Sequence, residues 1–248
     1  WLMFGNLYDM LADYFESEYL RAAFAGQGVI GSFIGPKTPG SVYVMWHHMF
    51  GEVNGEHGVW GYVRGGMGRI SFAMATSAEA YGAVIRTNSP VAKILVYNGR
   101  AEGVRLENGE ELRAAAVLSN ADPKRTFLQF CTDAELDKHF LKRISQFKTD
   151  SAVIKINVAL KELPSFTCLP GTAPGLQHAG SCEISPTPDW VQEAYEDAAH
   201  GELSRKPYIE AYMQSATDPS VAPTGFHTIS MFCPVSYTHL TLPTILRV

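Results

Sequence analysis

Residues 91–118 read VAKILVYNGRAEGVRLENGEELRAAAVL, and this stretch carries the clearest local pattern in the chain. Residues 91–97 are rich in β-branched and apolar side chains, and the tight-turn pair Asn98-Gly99 follows them. A second apolar segment ends at another turn pair, Asn108-Gly109. The pattern therefore predicts a three-stranded antiparallel meander, followed by a further short buried strand at Val117-Leu118.

On the N-terminal side of this stretch the apolar residues have helical spacing. One face would carry Leu7, Leu11, Tyr14, Phe15, Tyr19 and Phe24. This spacing predicts a single amphipathic helix that ends at Gly26 and Gly28. Glycines interleaved with aromatic residues fill 26–68, which is typical of turns and short irregular elements. Helical spacing resumes from Ile70 and ends at Gly82, which suits a C-terminal cap.

On the C-terminal side, helices and strands alternate. Asp133 is an N-cap candidate for a helix with an apolar stripe through Phe147. Alternation predicts strands at 154–160, 208–213 and 226–233, with a helix that has Pro188 at its first position between the first two. The order of elements predicts a mixed α/β (α+β) fold with two sheets.

Composition excludes several classes of protein. The 248 residues are 46% hydrophobic and 18% charged, so the chain can bury a substantial core. The net charge is −5 and no lysine or arginine cluster occurs, which argues against binding to nucleic acid. No apolar run approaches the roughly 18 residues of a bilayer span, although peripheral membrane contact stays open. Nothing in the composition indicates an oligomeric state.

The cysteines argue against a disulfide framework and against a metal centre. They are Cys131, Cys168, Cys182 and Cys233. Their wide spacing without a Cys-x-x-Cys pair favours a reducing compartment. His178 lies close to Cys182 in sequence, but no second ligand pair has zinc spacing, so we expect no metal.

The two ends of the sequence have features of their own. The chain starts at Trp1 and a helical pattern follows almost at once, so we expect the natural beginning to be missing, with no targeting segment in view. Residues 236–248 contain no acidic residue and no glycine, and they resemble translated vector sequence. We expect a non-native tail there; the alternative is an ordinary C-terminal strand.

Three segments in order, 59–68, 89–94 and 117–123, resemble phytoene desaturase-like flavoproteins. The segments 155–160 and 217–223 look most like one branch of that family, and the resemblance extends to about Cys233. It implies a two-domain fold, with a Rossmann-like domain for FAD and a sheet-plus-helix domain that covers the substrate. By similarity, residues 63–130 belong to the FAD domain, whereas 1–62 and 131–235 belong to the substrate domain.

The implied activity is the transfer of hydride from a small organic substrate, such as a carbon chain or an amine, to FAD. The alternative is an inactive flavin-fold protein with a binding or regulatory role. The resemblance implies a cytoplasmic location in a bacterium and the mitochondrial matrix in a eukaryote. The Gly65-Gly66-Met67-Gly68 cluster does not have the spacing of the dinucleotide fingerprint Gly-x-Gly-x-x-Gly, and it lacks the strand and the acidic residue that the fingerprint needs. We therefore expect this chain alone not to retain FAD.

The resemblance places Val91, Asn120 and Ala121 beside the cofactor. In related flavoproteins the backbone of the matching valine pairs with the adenine edge, and a β-branched residue favours the extended backbone that this needs. Asn120 and Ala121 follow a predicted strand, where α/β sheets place ligands. The alternatives are a plain core valine and an asparagine that closes a turn.

The glycine cluster supplies the remaining candidates. Gly65 and Gly66 have no side chains, so their backbone can approach a flavin or its substrate closely. Met67 and Arg69 would then lie at the floor of the substrate cavity. The arginine would stabilise negative charge on a reduced flavin or hold an acidic substrate. The alternative is a solvated arginine on the first turn of a helix.

Overall fold

The computed structural model describes residues 1–59, 61–132, 135–148 and 153–235. Its helices are α1 Leu7–Tyr14, α2 Glu18–Ala25, α3 Ser41–His48, α4 Gly68–Ala80, α5 Lys138–Ser145, α6 Leu176–Ala179 and α7 Pro188–Ala199. Its strands are β1 Glu52–Val53, β2 Glu56–His57, β3 Val91–Tyr97, β4 Arg100–Leu106, β5 Glu111–Arg113, β6 Val153–Leu160, β7 Ser181–Ile184, β8 Ile209–Tyr212 and β9 His227–Pro234. The mixed α/β class is confirmed.

The chain divides into two compact units. Unit 1 comprises Trp1–Ala73 and the described residues after Asp150, and unit 2 comprises the described residues of Met74–Thr149. Within the described ranges, no helix is both long and apolar enough to cross a membrane. Residues 236–248, where the sequence predicts a non-native tail, lie outside the described residues.

In unit 2 the predicted meander is confirmed. The strands β3, β4 and β5 form an antiparallel sheet in that order. Asn98 and Gly99 both have positive φ angles, of 48° and 75°, as a tight hairpin turn between right-twisted strands requires. Local turn chemistry thus sets the register of this sheet.

The strand predicted at Val117-Leu118 is wrong. Both residues have irregular backbone, and the side chain of Leu118 is 94% exposed. A strand needs a partner edge for its backbone hydrogen bonds, and β5 ends at Arg113 without offering one to this segment. Apolar composition alone does not supply that edge.

The second half of unit 2 packs a short π-helical turn, Arg125–Gln129, beside the sheet. The amide of Ile94 on β3 donates to the carbonyl of Phe130 at 2.8 Å, and the rings of Phe127 and Phe140 meet edge to face at 4.9 Å. Asp137 caps α5 by accepting from the amide of Phe140 at 3.0 Å. The predicted cap, Asp133, lies outside the described residues.

In unit 1 the single N-terminal helix of the prediction is two helices. The chain leaves α1 at Phe15, whose φ and ψ of −129° and 127° are extended, and α2 starts after Ser17. The break lets Phe15 stack on Phe24 of α2, with ring centroids 5.5 Å apart. Helical spacing was right for both helices, but it did not reveal the turn between them.

The glycine-rich stretch 26–68 is more regular than predicted, because it contains α3 and the β1–β2 hairpin. Ser41 starts α3 and is fully buried. Its hydroxyl accepts from the amide of Leu7 at 2.8 Å and lies 2.9 Å from the carbonyl of Pro36. The bond from Leu7 satisfies the first backbone amide of α1 and joins α1 to α3.

The predicted strands and helix of the C-terminal half are confirmed. Thr187 caps α7 by accepting from the amide of Trp190, with Pro188 at the first position. The three predicted strands β6, β8 and β9 join an unpredicted strand, β7, in an antiparallel sheet of order β6-β9-β8-β7. With the hairpin and the meander, the described residues contain three sheets where the sequence predicted two.

The core of unit 1 lies between α1, α3 and α7. Its buried residues are Leu7, Leu11, Ala25, Val29, Val42, Met45, Val191, Ala194, Tyr208 and Val235. Each buried aliphatic side chain contributes about 1.5–3 kcal/mol relative to exposure. This core fixes α2 and α3 over one end of the four-stranded sheet.

Candidate functional site

The register of the four-stranded sheet gathers charged and aromatic side chains on one face. Directly opposed residues in antiparallel strands share a face. One row across the sheet is Lys155, Phe232, Glu210 and Glu183, and the next is Asn157, Ser230, Tyr212 and Ser181. We call this set of eight residues the polar face. On this face Glu210 is buried and Glu183 is half-buried, whereas Lys155, Asn157 and Ser181 are exposed. Carboxylates are rarely buried without a charged partner, so the buried end of the face marks a candidate site.

The most unusual pair on the polar face is Glu183 and Glu210. They stand directly opposite each other on β7 and β8, where two like charges repel. Glu210 is only 5% exposed, and its Oε1 lies 3.5 Å from the hydroxyl of Ser181. The amide of Gln27 is also 3.5 Å from Oε1 of Glu183, whose buried Oε2 has no partner among the described residues. The two carboxyls therefore lack strong neutralising partners.

Burial, and next the charge of Glu210, raise the pKa of Glu183 to about 7. The bond from Gln27 opposes this shift but does not cancel it. Near neutral pH, Glu183 thus exchanges a proton readily, as a general acid or base requires.

Three tyrosines surround the carboxyl pair. Tyr212 lies on the polar face, and its ring meets that of Tyr62 edge to face at 6.5 Å. Tyr208 is fully buried, and its hydroxyl has no partner among the described residues. Burial is the main reason that the pKa of each of these tyrosines is raised, and the charge of Glu210 adds to it. All three therefore carry a proton at neutral pH.

A cavity of about 440 Å³ opens above the carboxyl pair. Four residues of the polar face, Ser181, Glu183, Glu210 and Tyr212, form its floor, and α2, α3 and the β1–β2 region form its walls. Its lining residues are Ala23, Phe24, Gln27, Met45, His48, Met49, Gly58, Tyr62, Ala179, Gly180, Ser181, Glu183, Glu210 and Tyr212. A cavity of this size with mostly apolar walls and a few convergent polar groups suits a small organic ligand.

The glycine loop, residues 65–68, borders a second hollow at the β6–β9 end of the polar face. This hollow measures about 500 Å³, and its lining includes Gly65, Gly66, Asn157 and Ser230. The amide of Gly65 donates to Oδ2 of Asp218 at 2.6 Å. The hydrogen bonds that Asp218 receives, first from Ser220 and then from Gly65, lower its pKa. The loop is thus held to the β8–β9 connection.

The glycines of this loop have conformations that other residues rarely adopt. The φ angles of Gly65 and Gly66 are 82° and 91°. A Cβ on Gly65 would stand 2.9 Å from Nε of Arg69. Met67 is 58% exposed, and Arg69 is exposed on the first turn of α4, where its amide donates to Gly66. The four predicted residues therefore do lie together, and their role beside a flavin stays a prediction.

The other predicted residues, Val91, Asn120 and Ala121, lie in unit 2. Val91 is half-buried at the start of β3, opposite Leu106. Ala121 lines a separate hollow of about 440 Å³, and its carbonyl accepts from the hydroxyl of Thr126 at 3.2 Å. Asn120 is exposed beside it. The structure places Ala121 at a hollow, and the cofactor role of all three stays a prediction.

Sequence reasoning missed the carboxyl pair and Tyr208. The sequence feature that could have revealed the carboxyl pair is a single acidic residue within each of two short β-rich segments, at Glu183 and at Glu210. For the residues that the structure describes, no group of three or more histidine, cysteine or acidic side chains could hold a metal. His178 instead lies 2.8 Å from the carbonyl of Pro164, and Cys182 lies 3.4 Å from that of Gln177.

Comparisons with known proteins identify the family to which this chain is similar. The family model described as flavin-containing amine oxidoreductase matches residues 9–126. A rat protein, pyridine nucleotide-disulfide oxidoreductase domain-containing protein 2, is 45% identical over 238 residues, which are 94% of this chain and 41% of that protein. Its mouse counterpart is 47% identical over 92% of this chain and 40% of its own length. The chain thus spans about two fifths of these relatives.

More distant relatives extend the likeness. A neurosporene-forming phytoene desaturase of Cereibacter sphaeroides is 30% identical over 94% of this chain and 42% of that enzyme. The crystal structure of an oxidoreductase from Methanosarcina mazei shares the fold with a TM-score of 0.61 at 24% identity, over 94% of this chain and 47% of that one. The chain belongs to the amine oxidase and phytoene desaturase-like family of flavoproteins.

Proposed function

We propose that this chain forms the substrate-facing wall of an FAD-dependent oxidoreductase that removes hydride from a small organic molecule. The observation that carries the proposal is the polar face, which has the glycine loop at one end and the carboxyl cavity at the other. A reaction of this kind needs a shaped, dry cavity next to the cofactor and few groups that react themselves. The cavity has that character, since apolar and aromatic side chains form most of its walls.

The residues present fit the ring of a flavin better than its pyrophosphate. The glycine loop offers backbone without side chains, as a close approach to a flat ring requires. The Gly-x-Gly-x-x-Gly spacing of a pyrophosphate site occurs at residues 26–31, but there it follows the helix α2 and not a strand, so it does not form a strand-turn-helix. When bound, the flavin supplies the hydride acceptor, while this chain orients the substrate and excludes water.

In this proposal 63–130 contribute to the FAD domain, and 1–62 with 131–235 form the substrate domain. Val91, Asn120 and Ala121 then contact the cofactor, whereas Met67 and Arg69 face the substrate. Arg69 stabilises negative charge that develops on the reduced flavin. An apolar substrate, which the desaturase relatives suggest, would lie against the methionine and aromatic walls of the cavity.

The test is the variant Arg69→Ala in a polypeptide of the relatives' full length that contains this chain. Loss of one donor aimed at developing charge should slow flavin reduction about a hundredfold, measured by rapid mixing with substrate. Arg143→Ala, which removes an exposed arginine of α5, is the matched control and should leave the rate unchanged. Equal rates for the Arg69 variant and the control would contradict the placement of the loop beside the flavin.

The cofactor requirement is tested on the chain itself. Because the fingerprint glycines at residues 26–31 do not stand between a strand and a helix, the purified 248-residue chain should carry no stoichiometric flavin absorbance. Flavin that copurifies one to one would contradict this. A full-length protein that binds flavin and never reduces it with any substrate would instead favour the binding or regulatory alternative.

A further inference from the structure

An apolar groove lies between α1, α2 and α3 on the surface of unit 1. The groove measures about 380 Å³, and its lining includes three methionines and three aromatic residues: Met10, Met45, Met49, Tyr14, Phe15 and Phe24. Methionine side chains are flexible and polarizable, so they adapt to apolar partners of different shapes. Walls of this kind are typical of grooves that bind the apolar face of an amphipathic helix.

Exposed aromatic rings extend the apolar surface beyond the groove. Trp46 lies one helical turn before Met49, so the two side chains are neighbours on α3. The ring of Trp46 meets that of Phe50 edge to face at 4.1 Å, and the ring of Tyr43 lies 6.5 Å away on its other side. All three rings are exposed. A contiguous patch of exposed aromatic side chains is typical of a protein–protein interface.

The rim of the groove along α1 is acidic. Asp13 precedes Tyr14 of the groove wall, Glu16 follows Phe15, and Glu18 starts α2. All three carboxylates are exposed, and none of them forms an ion pair with another described residue. Residues 1–20 contain no lysine or arginine that would offset these charges. The rim therefore attracts a positively charged partner.

The acidic rim distinguishes between the possible occupants of the groove. A second copy of this chain in a two-fold contact would bring one acidic rim against the other, and like charges repel. A membrane surface with anionic lipids would repel the rim for the same reason. A basic helix complements both the apolar walls and the acidic rim.

We propose that the apolar groove binds a basic amphipathic helix of a partner protein. Apolar residues of the helix, at positions i, i+3 or i+4, and i+7, lie in the groove. Its lysine or arginine residues face the carboxylates of the rim. The apolar contacts supply most of the affinity, whereas the rim charges mainly raise the rate of association and select the partner.

The first test is a fluorescence anisotropy titration of the 248-residue chain with a labelled helical peptide of about 18 residues, or five turns. This lysine peptide has leucines on one face and lysines on the other. It should bind at least about tenfold more tightly than a peptide of the same composition in scrambled order, which keeps the charge and loses the apolar face. Equal binding of the two peptides would overturn the proposal.

Matched variants test the groove wall. Met49→Lys puts a positive charge into the groove at a side chain that is 47% exposed, so the chain should fold normally. It should weaken the lysine peptide at least about tenfold, whereas Met74→Lys, the same change at an exposed position of α4, should leave the affinity unchanged. If circular dichroism shows that Met49→Lys is unfolded, Tyr14→Ser replaces it. Equal affinities of the groove variant and the α4 variant would overturn the proposal.

A double variant, Asp13→Asn with Glu16→Gln, tests the acidic rim. At about 0.1 M salt, where the Debye length is about 10 Å, it should weaken the lysine peptide about fivefold. At about 1 M salt, where the Debye length is about 3 Å, the difference should disappear. Glu107→Gln with Glu162→Gln removes two exposed carboxylates that do not line the groove, and it should have almost no effect. Equal effects of the two double variants would contradict the role of the rim.

The last test uses a polypeptide of the relatives' full length, because this chain spans only about two fifths of those proteins. The lysine peptide should bind to it as well, and Met49→Lys should again weaken binding. A full-length protein that does not bind the peptide would show that its own chain covers the groove, which would overturn the proposal. Self-association, or sedimentation with phosphatidylcholine vesicles, that Met49→Lys abolishes while the peptide does not bind would also overturn it, in favour of a second copy or a membrane.

Discussion

The meander of unit 2 places opposite charges across from each other on neighbouring strands, whereas the four-stranded sheet of unit 1 places like charges there. On the meander Arg105 stands directly across from Glu111, and their side chains are 2.6 Å apart. On the larger sheet Glu183 stands directly across from Glu210, and like charges meet. The first arrangement obeys the local rule for strand pairs, and the second breaks it. Broken local rules tend to mark functional sites, so the comparison directs attention to unit 1.

The largest expected effect tests whether the stability of the meander depends more on its backbone conformation than on its charged side chains. Gly103 on β4 has a φ of 146°, and an added Cβ would collide with the carbonyl oxygen of Leu112 and stand 2.9 Å from Cα of Arg113. Gly103→Ala should therefore destabilise unit 2 by about 3 kcal/mol or more. Hydrogen exchange should show lost protection across β3–β5. Protection equal to that of the unsubstituted chain would contradict this steric account.

The next effect concerns the carboxyl pair. Between about pH 4.5 and 7 the folded protein binds more protons at Glu183 than the unfolded chain does, so the free energy of unfolding falls as the pH rises. Glutamine does not titrate. Glu183→Gln should therefore be more stable than the unsubstituted chain above pH 7, on the order of 1 kcal/mol after solvent screening, and the gain should vanish below about pH 4.5. Urea unfolding at pH 8 and pH 4 measures this.

A change of similar size is expected at Tyr208. Tyr208→Phe removes a buried hydroxyl that has no partner among the described residues, so it should raise the free energy of unfolding by about 1 kcal/mol. Lower stability of the variant would instead reveal a hydrogen bond to an ordered water.

The smallest effect belongs to the meander's surface pair. The hydrogen bond from Arg105 is the main reason that the pKa of Glu111 is lowered. This pairing stabilises the fold above the ordinary glutamate pKa, and the contribution is lost as the pH falls through the lowered value. Glu111→Gln should thus slightly destabilise the chain at pH 8 and not in strong acid. At pH 8 the change in the free energy of unfolding should thus be opposite in sign to that of Glu183→Gln, measured in the same urea experiment. Changes of the same sign in both variants would contradict the distinction between the two sheets.

The two sheets also differ in how well the sequence predicts them. The meander follows from adjacent strands and the turn pair Asn98-Gly99, so all its information is local. The pairing of Glu183 with Glu210 depends on a register between strands that are separated by α7. Periodicity does not determine such a register, and β7 itself is four residues long. The strand predicted at Val117-Leu118 failed for a related reason, because a strand also needs a partner edge.

The candidate site was likewise predicted only where its residues are neighbours in the sequence. The glycine loop is a continuous stretch, so Gly65, Gly66, Met67 and Arg69 could be grouped from sequence. The alternation at β6 was also recognised, with Lys155 on the face opposite the aliphatic residues. Its partners on that face, such as Phe232, come from strand β9 and become visible only in three dimensions.

The bond between Gly65 and Asp218 joins residues that are 153 positions apart. A ribosome makes the glycine loop early and its carboxylate anchor late, and β6 likewise waits for β9 as its partner. The nascent chain must therefore carry an open loop and an unpaired strand edge while the intervening residues are made, whereas the meander can close on its own residues at once. Its dependence on chaperones during translation should accordingly concentrate in the interval before Asp218 leaves the exit tunnel.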